Sequence, residues 1–263
     1  MQSVGDFARF KAAGRVIAMV TAYDAWSARA AAGSNVDALL VGDSVAMVVH
    51  GHPTTLTASV EMLALHTRAV VRAAGGKLVV ADLPFLSYRK GLSVAMDAVE
   101  TLVASGAQAV KLEGVDGHED IVRHIVRSGV PVMGHVGLMP QHVHEAGGYR
   151  VQGRTELVAD TICQQARTLE DLGCFAIVIE CVPESLAARI TAALQVPTIG
   201  IGAGGDTDGQ ILVFHDLLGV GAGPSPRFVR RYLEGESLVT NALNAYAADV
   251  TARRFPADAE SYA

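Results

Sequence analysis

Asp43, Asp82, Glu113 and Glu180 each stand at the end of a short apolar run that reads as a β-strand. They are far apart along the chain, so they would share one site only if those strands lay parallel with their C-terminal ends at a common mouth. Carboxylates gathered there repel one another unless protons or a cation offset the charge. Oxygen-only ligation by one or two carboxylates, with exchangeable positions left over, favours Mg²⁺; zinc would draw histidine or cysteine. Lys111 precedes Glu113 by two residues, so on a strand both side chains face one way while Leu112 faces the other, and the ammonium can meet an anionic substrate. His135, also at a strand end, is a candidate for ligand contact, with a packed or capped histidine as the plain alternative. Any one of the acids could instead cap the next helix. Four in the same relation to four strands weaken that reading.

Other patterns promise chemistry and do not supply it. Gly200, Gly202 and Gly205 satisfy GxGxxG, but the segment that follows leads into another strand and not into the helix a dinucleotide site requires. Here the glycines read as room for a close backbone approach. His142 and His144 resemble a metal pair without a third nitrogen or sulfur ligand nearby in sequence. Ser44 and Ser87 lie outside any GxSxG elbow, so individually they read as caps or turn residues. Cys163, Cys174 and Cys181 are odd in number and lack CxxC spacing, which points to reduced, mostly buried thiols.

The elements that must position the acids alternate along the chain. Strands are expected at Val16 to Thr21, Ala38 to Val41, Leu78 to Ala81, Ala109 to Leu112, Val130 to His135, Phe175 to Ile179, Val196 to Gly200 and Gln210 to Phe214. Runs such as Phe175-Ala176-Ile177-Val178-Ile179 suit strands covered on both faces. Helical segments lie between them, four ending at Gly33, Gly106, Gly129 and Gly173, where glycine fits a left-handed helix stop. Ile121, Val122, Ile125 and Val126 form one apolar stripe, and Val158, Ile162, Ala166 and Leu169 another. Eight βα units predict an α/β fold, a (β/α)₈ TIM barrel with a C-terminal helical tail, over a single domain 1–263. Residues 221–263 would be a closing helix and tail. Val239, Leu243, Tyr246 and Val250 share a helical face there, to close the barrel or to pack on a neighbouring subunit. The connections around Gly42 to Thr57 and Gly137 to Gly153 exceed ordinary βα loops, and long loops on that face usually serve a site.

Composition agrees with a folded, small-molecule protein. The 263 residues carry 21 Lys and Arg against 27 Asp and Glu, a net charge of −6, which disfavours nucleic acid as a partner. Half the residues are hydrophobic and 18% charged, far from the composition of disordered chains. No apolar run is long enough to span a membrane. The N-terminus carries an early acid and no basic, apolar leader pattern, so the cytoplasm is the expected location.

The strand-end segments Val41-Gly42-Asp43-Ser44, Ala81-Asp82-Leu83-Pro84-Phe85, Val110-Lys111-Leu112-Glu113-Gly114, Gly134-His135-Val136-Gly137-Leu138, Gly147-Gly148-Tyr149-Arg150-Val151-Gln152-Gly153, Glu180-Cys181-Val182-Pro183 and Ile199-Gly200-Ile201-Gly202-Ala203-Gly204 occur in an order that resembles the ketopantoate hydroxymethyltransferases. The resemblance covers nearly the whole chain. It implies a Mg²⁺-dependent barrel enzyme that uses 5,10-methylenetetrahydrofolate as co-substrate to convert 3-methyl-2-oxobutanoate (2-oxoisovalerate) into 2-dehydropantoate, on the way to pantothenate and coenzyme A. It further implies Asp43 and Asp82 as metal ligands that also frame the substrate, and Glu113 as a metal-site carboxylate, directly or through water. Ser44 and Lys111 match substrate-binding positions, and Glu180 matches the family's proton acceptor. Large homo-oligomers, commonly decamers, are implied as well. Gly51-His52-Pro53-Thr54-Thr55-Leu56 and Gly223-Pro224-Ser225-Pro226 depart from the family's usual wording without removing a ligand.

On that reading Mg²⁺ chelates the 2-oxo acid as Lewis acid and template, Glu180 removes the C3 proton to give an enolate, and Lys111 holds the substrate carboxylate. A metal-dependent lyase or mutase of the phosphoenolpyruvate mutase and isocitrate lyase type shares the barrel and the enolate logic. It usually relies on a reactive cysteine or phosphate-binding loop that is missing here. A silent oxo-acid-binding barrel would keep Asp43 and Asp82 but could dispense with Glu180, so the presence of that acid counts against it.

Overall fold

The structure is a computed structural model that describes residues 3–145, 147–221 and 225–262. Eight parallel strands, β1 (Ile17–Thr21), β2 (Ala38–Val41), β3 (Leu78–Asp82), β4 (Ala109–Lys111), β5 (Val132–Gly137), β6 (Ala176–Glu180), β7 (Thr198–Ile201) and β8 (Gly209–Leu212), pair in sequence order. β8 returns to β1 and closes the barrel. The expected TIM barrel is what the chain forms. Helix α1 (Val4–Ala12) precedes β1; α2 (Ala25–Ala32), α3 (Val45–Val48), α4 (Val60–Val71), α5 (Leu92–Ala104), α6 (Glu119–Arg127), α7 (Glu156–Asp171) and α8 (Glu184–Ala193) follow between strands.

Alternation along the strands builds the core. Ile17 and Met19, Ala38 and Leu40, Leu78 and Val80, and Ala176 and Val178, each pair two residues apart on its strand, form one buried cluster with Ala109, Met133, Ile199 and Ile211 from the other four. Phe7 of α1 joins it from outside the sheet and packs edge-on against Phe175, ring centres 5.4 Å apart. The first strand residue after Pro131 is Val132, because proline has no N–H for the ladder; its carbonyl still accepts from Val110 at 3.0 Å.

Several local expectations change. Gly106, Gly129 and Gly173 adopt positive φ after their helices, but Gly33 does not: its φ is −78°, and α2 ends in right-handed geometry. In α7 the buried stripe is Ala159, Ile162, Ala166 and Leu169, whereas Val158 is exposed, because it stands in the first turn after the Thr155 cap and faces away from the sheet. β5 runs on to Gly137 and not to His135, since pairing with β6 overrides the weak strand preference of glycine there. Phe214 opens helix α9 (Phe214–Leu218) instead of ending β8.

The chain divides into two compact units, Met1–Phe214, which holds the barrel, and His215–Ala263. The second contains most of α9 and helix α10 (Gly235–Thr251), on which Val239, Leu243, Tyr246 and Val250 are exposed. Gly223 and Pro224 of the unusual segment noted above lie outside the described residues.

Candidate active site

The alternation that fills the barrel also delivers the site. One step of two residues beyond the core layer lie Asp82 after Val80, Lys111 after Ala109, His135 after Met133 and Glu180 after Val178. Register brings neighbours level: Asp82 pairs with Lys111 across β3 and β4, and Gly137 with Glu180 across β5 and β6. Asp43 and Glu113 each stand two residues past the last residue of their strands. None of the four acids caps the helix after it. Helix α8, for example, begins three residues beyond Cys181 with Pro183 at its cap position.

The side chains form a buried row of alternating charge. Asp82 Oδ2 accepts from the Asp43 backbone N–H at 3.0 Å, and its Oδ1 accepts from Lys111 Nζ at 2.6 Å. Lys111 lies 3.9 Å from Glu113 Oε1. His135 stands between two carboxylates, its Nδ1 3.6 Å from Glu113 Oε1 and its Nε2 3.3 Å from Glu180 Oε2. These last approaches lack hydrogen-bond geometry, so Glu113 Oε1 and both ring nitrogens are buried polar atoms with no hydrogen-bond partner among the described residues. A bound ion, a water or a catalytic role accounts for such orphans in native proteins. Ser44 occupies the cap position of α3, but its Oγ bonds the Tyr23 hydroxyl at 2.8 Å and makes no cap. His142 pairs with Glu145 at 2.9 Å and His144 is exposed, so the two histidines do not converge.

Burial pushes the Asp43 carboxyl well above the usual range, and the Asp82 and Glu113 charges add to the effect; Lys111 and the Gln141 amide oppose it only in part. Burial also raises Asp82, against the pull of Lys111. For Glu113 burial raises the carboxyl, but His135 and Lys111 outweigh it and hold it below the ordinary value. Burial disfavours charge on His135 as well, and the Glu113 and Glu180 carboxylates reverse that, lifting it to about 9. Burial likewise opposes charge on Lys111, and Asp82, Glu113 and Asp43 overcome it and keep the ammonium protonated. Cys181 beside the site is pushed up to about 12 by burial and by Glu180, which suits an inert thiol and not a nucleophile.

The donor set fits a hard divalent cation. It consists of carboxylate oxygens carrying excess negative charge, with one oxygen of Glu113 unpartnered. Among the described residues no three histidine, cysteine or carboxylate side chains form a ready-made cage. Mg²⁺ asks for less than such a cage, since it usually takes one or two carboxylates and completes its shell with water and substrate oxygens.

Two residues of this cluster carried no signal of their own in the sequence. Gln141, in the short turn Pro140–His142 after β5, bonds Asp43 through its side chain and Glu113 through its backbone. Tyr88 donates to the Glu113 carbonyl at 2.9 Å. The length of the Gly137 to Gly153 connection marks Gln141's loop, but nothing local singles out the residue.

The model of the ketopantoate hydroxymethyltransferase family matches residues 2–258. The chain belongs to that family. Ketopantoate hydroxymethyltransferases are transferases, and the relatives of this chain bear the name 3-methyl-2-oxobutanoate hydroxymethyltransferase. The one from Bdellovibrio bacteriovorus is 53% identical over 262 residues and covers the whole of both chains. That from Legionella pneumophila strain Paris is 49% identical, across 98% of this chain and 99% of its own. Among solved structures, a phosphonopyruvate hydrolase complex with oxalate and Mg++ superposes with a TM-score of 0.65, covering 98% of this chain and 93% of its own. At 12% identity that likeness speaks for the barrel only. No described helix is long and apolar enough to cross a membrane.

Proposed function

We propose that this member of the ketopantoate hydroxymethyltransferase family transfers a hydroxymethyl group from 5,10-methylenetetrahydrofolate to 3-methyl-2-oxobutanoate, giving 2-dehydropantoate for pantothenate synthesis, by way of an enolate. The observation that carries the reading is a division among the four acids. Asp43, Asp82 and Glu113 are buried, while the side chain of Glu180 keeps 16% of its surface open at the end of the row. The closed acids suit ligation and the open one suits proton transfer. Asp43 and Asp82 would hold Mg²⁺, with Glu113 bound directly or through water; the ion would supply Lewis-acid stabilisation of negative charge on the substrate's keto oxygen.

Glu180 takes the proton from C3. Its partner His135, held protonated by the two flanking carboxylates, keeps the Glu180 carboxylate in place and lies within reach of the substrate. The enolate carbon then bonds to the methylene carbon of the folate donor; both carbon–nitrogen bonds that tie that carbon to the folate break, one as the carbon–carbon bond forms and the other as water supplies the hydroxyl, and the two folate nitrogens take up the proton from C3 and one from the water. Lys111 carries three N–H donors, of which Asp82 takes one, leaving donors for the substrate carboxylate. Ser44, fixed by Tyr23, supplies a further polar contact to the substrate. The exposed apolar row on α10 supports a second part of the reading, that the chain works as a homo-oligomer, the decamer implied by the family resemblance.

Deuterium uptake at C3 of 3-methyl-2-oxobutanoate in heavy water, with Mg²⁺ and with or without tetrahydrofolate, tests the chemistry. Exchange should need Mg²⁺ but not folate, and product should need both. Glu180→Gln should slow exchange by about 10²-fold or more while metal affinity stays near that of the wild type. Absence of Mg²⁺-dependent exchange and product in the wild type would overturn the reaction, and loss of metal affinity in the variant would move Glu180 into the ligand set.

A further inference from the structure

Gln141 is buried where three strand ends meet. Its Nε2 donates to Asp43 Oδ2 at 2.9 Å, beyond β2, and to the Leu83 carbonyl at 3.0 Å, beyond β3. Its backbone N–H donates to Glu113 Oε2 at 2.9 Å, beyond β4. Its Oε1 lies 3.2 Å from the Tyr88 hydroxyl, whose single hydrogen is shared with the nearer Glu113 carbonyl at 2.9 Å and whose oxygen accepts from the Glu113 N–H at 3.2 Å. Both amide hydrogens are therefore used, and the two acceptors, Asp43 Oδ2 and the Leu83 carbonyl, fix which end of the amide faces Asp43.

The consequence for the acids is selective. One oxygen of Asp43 and one of Glu113 are each tied to an N–H of the same residue. The remaining oxygen of Glu113 is, among the described residues of the cluster, the one carboxylate oxygen that is buried without a hydrogen-bond partner. An amide does this without adding charge and without an atom that competes for a hard cation as a carboxylate would. A glutamate there would add a fifth acid to a crowded site, and an apolar residue would strand Asp43 Oδ2 and the Leu83 carbonyl without donors.

We propose that Gln141 is the positioning residue that decides which carboxylate oxygens of Asp43 and Glu113 are presented to the cation, so that the turn after β5 belongs to the metal site although it contributes no ligand. The assignment rests on the metal reading of the cluster made above. Outer-shell partners of this kind typically govern about 10- to 100-fold in metal affinity.

The test is a titration of the full chain with Mn²⁺, a paramagnetic stand-in for Mg²⁺, with free ion followed by electron paramagnetic resonance in the absence of substrate. Two variants are compared with the wild type. Gln141→Met keeps the volume and loses the donors; Gln141→Asn keeps the amide but is one methylene too short to reach Asp43. Both should bind Mn²⁺ about 10-fold or more weakly, and the loss of kcat/KM at low Mg²⁺ should recover as Mg²⁺ is raised. A residue that served only packing would lower thermal stability and leave Mn²⁺ affinity unchanged; wild-type affinity in either folded variant overturns the proposal. Failure of the wild type itself to bind Mn²⁺ would overturn the metal reading, and this assignment with it.

Discussion

Asp43 meets the strongest opposition to its charge within the cluster, from burial first and then from Asp82 and Glu113. A side chain held there has a use only if a cation or a proton joins it. Asp43→Asn keeps the shape and removes the charge. If Asp43 ligates Mg²⁺ directly, the variant should lose more affinity than an outer-shell change, over about 100-fold, measured calorimetrically; unchanged affinity would take Asp43 off the ligand set. The four acids could be picked out in advance because each interrupts an apolar run at its end, where a barrel needs no charge for stability. Gln141 and Tyr88 could not. A glutamine after a proline in a loop looks like any polar surface residue, and only the folded chain surrounds it with Asp43, Leu83, Glu113 and Tyr88.

Between elements, the tightest constraint near the site lies where β5 leaves the sheet beside the end of β6. Gly137 has φ of +95°, and a Cβ there would lie 2.3 Å from the Glu180 carbonyl oxygen. That carbonyl accepts from the Leu138 N–H at 2.8 Å, so the close approach fixes both the loop carrying Gln141 and the backbone of the proposed base. Gly137→Ala should cost about 2–5 kcal/mol from strain and overpacking and should slow C3 exchange as Glu180 shifts. Urea unfolding and exchange rates would check both effects, and a variant with wild-type stability and rate would show that the contact relaxes freely. The element types and most strand positions followed from apolar runs and spacing. The ends did not, as β5 and α9 illustrate: a glycine at a strand end can be a stop or a paired residue, and only the neighbouring strand decides which.

For the whole molecule, helix α10 of the second unit carries an apolar row on its surface. Leu243 and Tyr246 on α10 leave 62% and 56% of their surface exposed in the single chain, with Val239 and Val250 in line. We read this row as a surface for contact between subunits. Light scattering should therefore report a mass several times that of one chain, and Leu243→Asp should lower it; a wild-type monomer would refute assembly through this face.

Alternating apolar residues and their intervals were enough to determine eight strands, their helices and the barrel, because hydrophobic periodicity acts locally and every strand must bury the same two faces. They also placed four acids at the ends of four strands. Tertiary structure alone decided that Asp82, Lys111, Glu113, His135 and Glu180 form one continuous charged row, that three of the acids are closed and one is open, and that a loop glutamine binds two of them. Distances between residues remote in sequence depend on register and closure of the sheet, and no property of a short stretch of chain contains them.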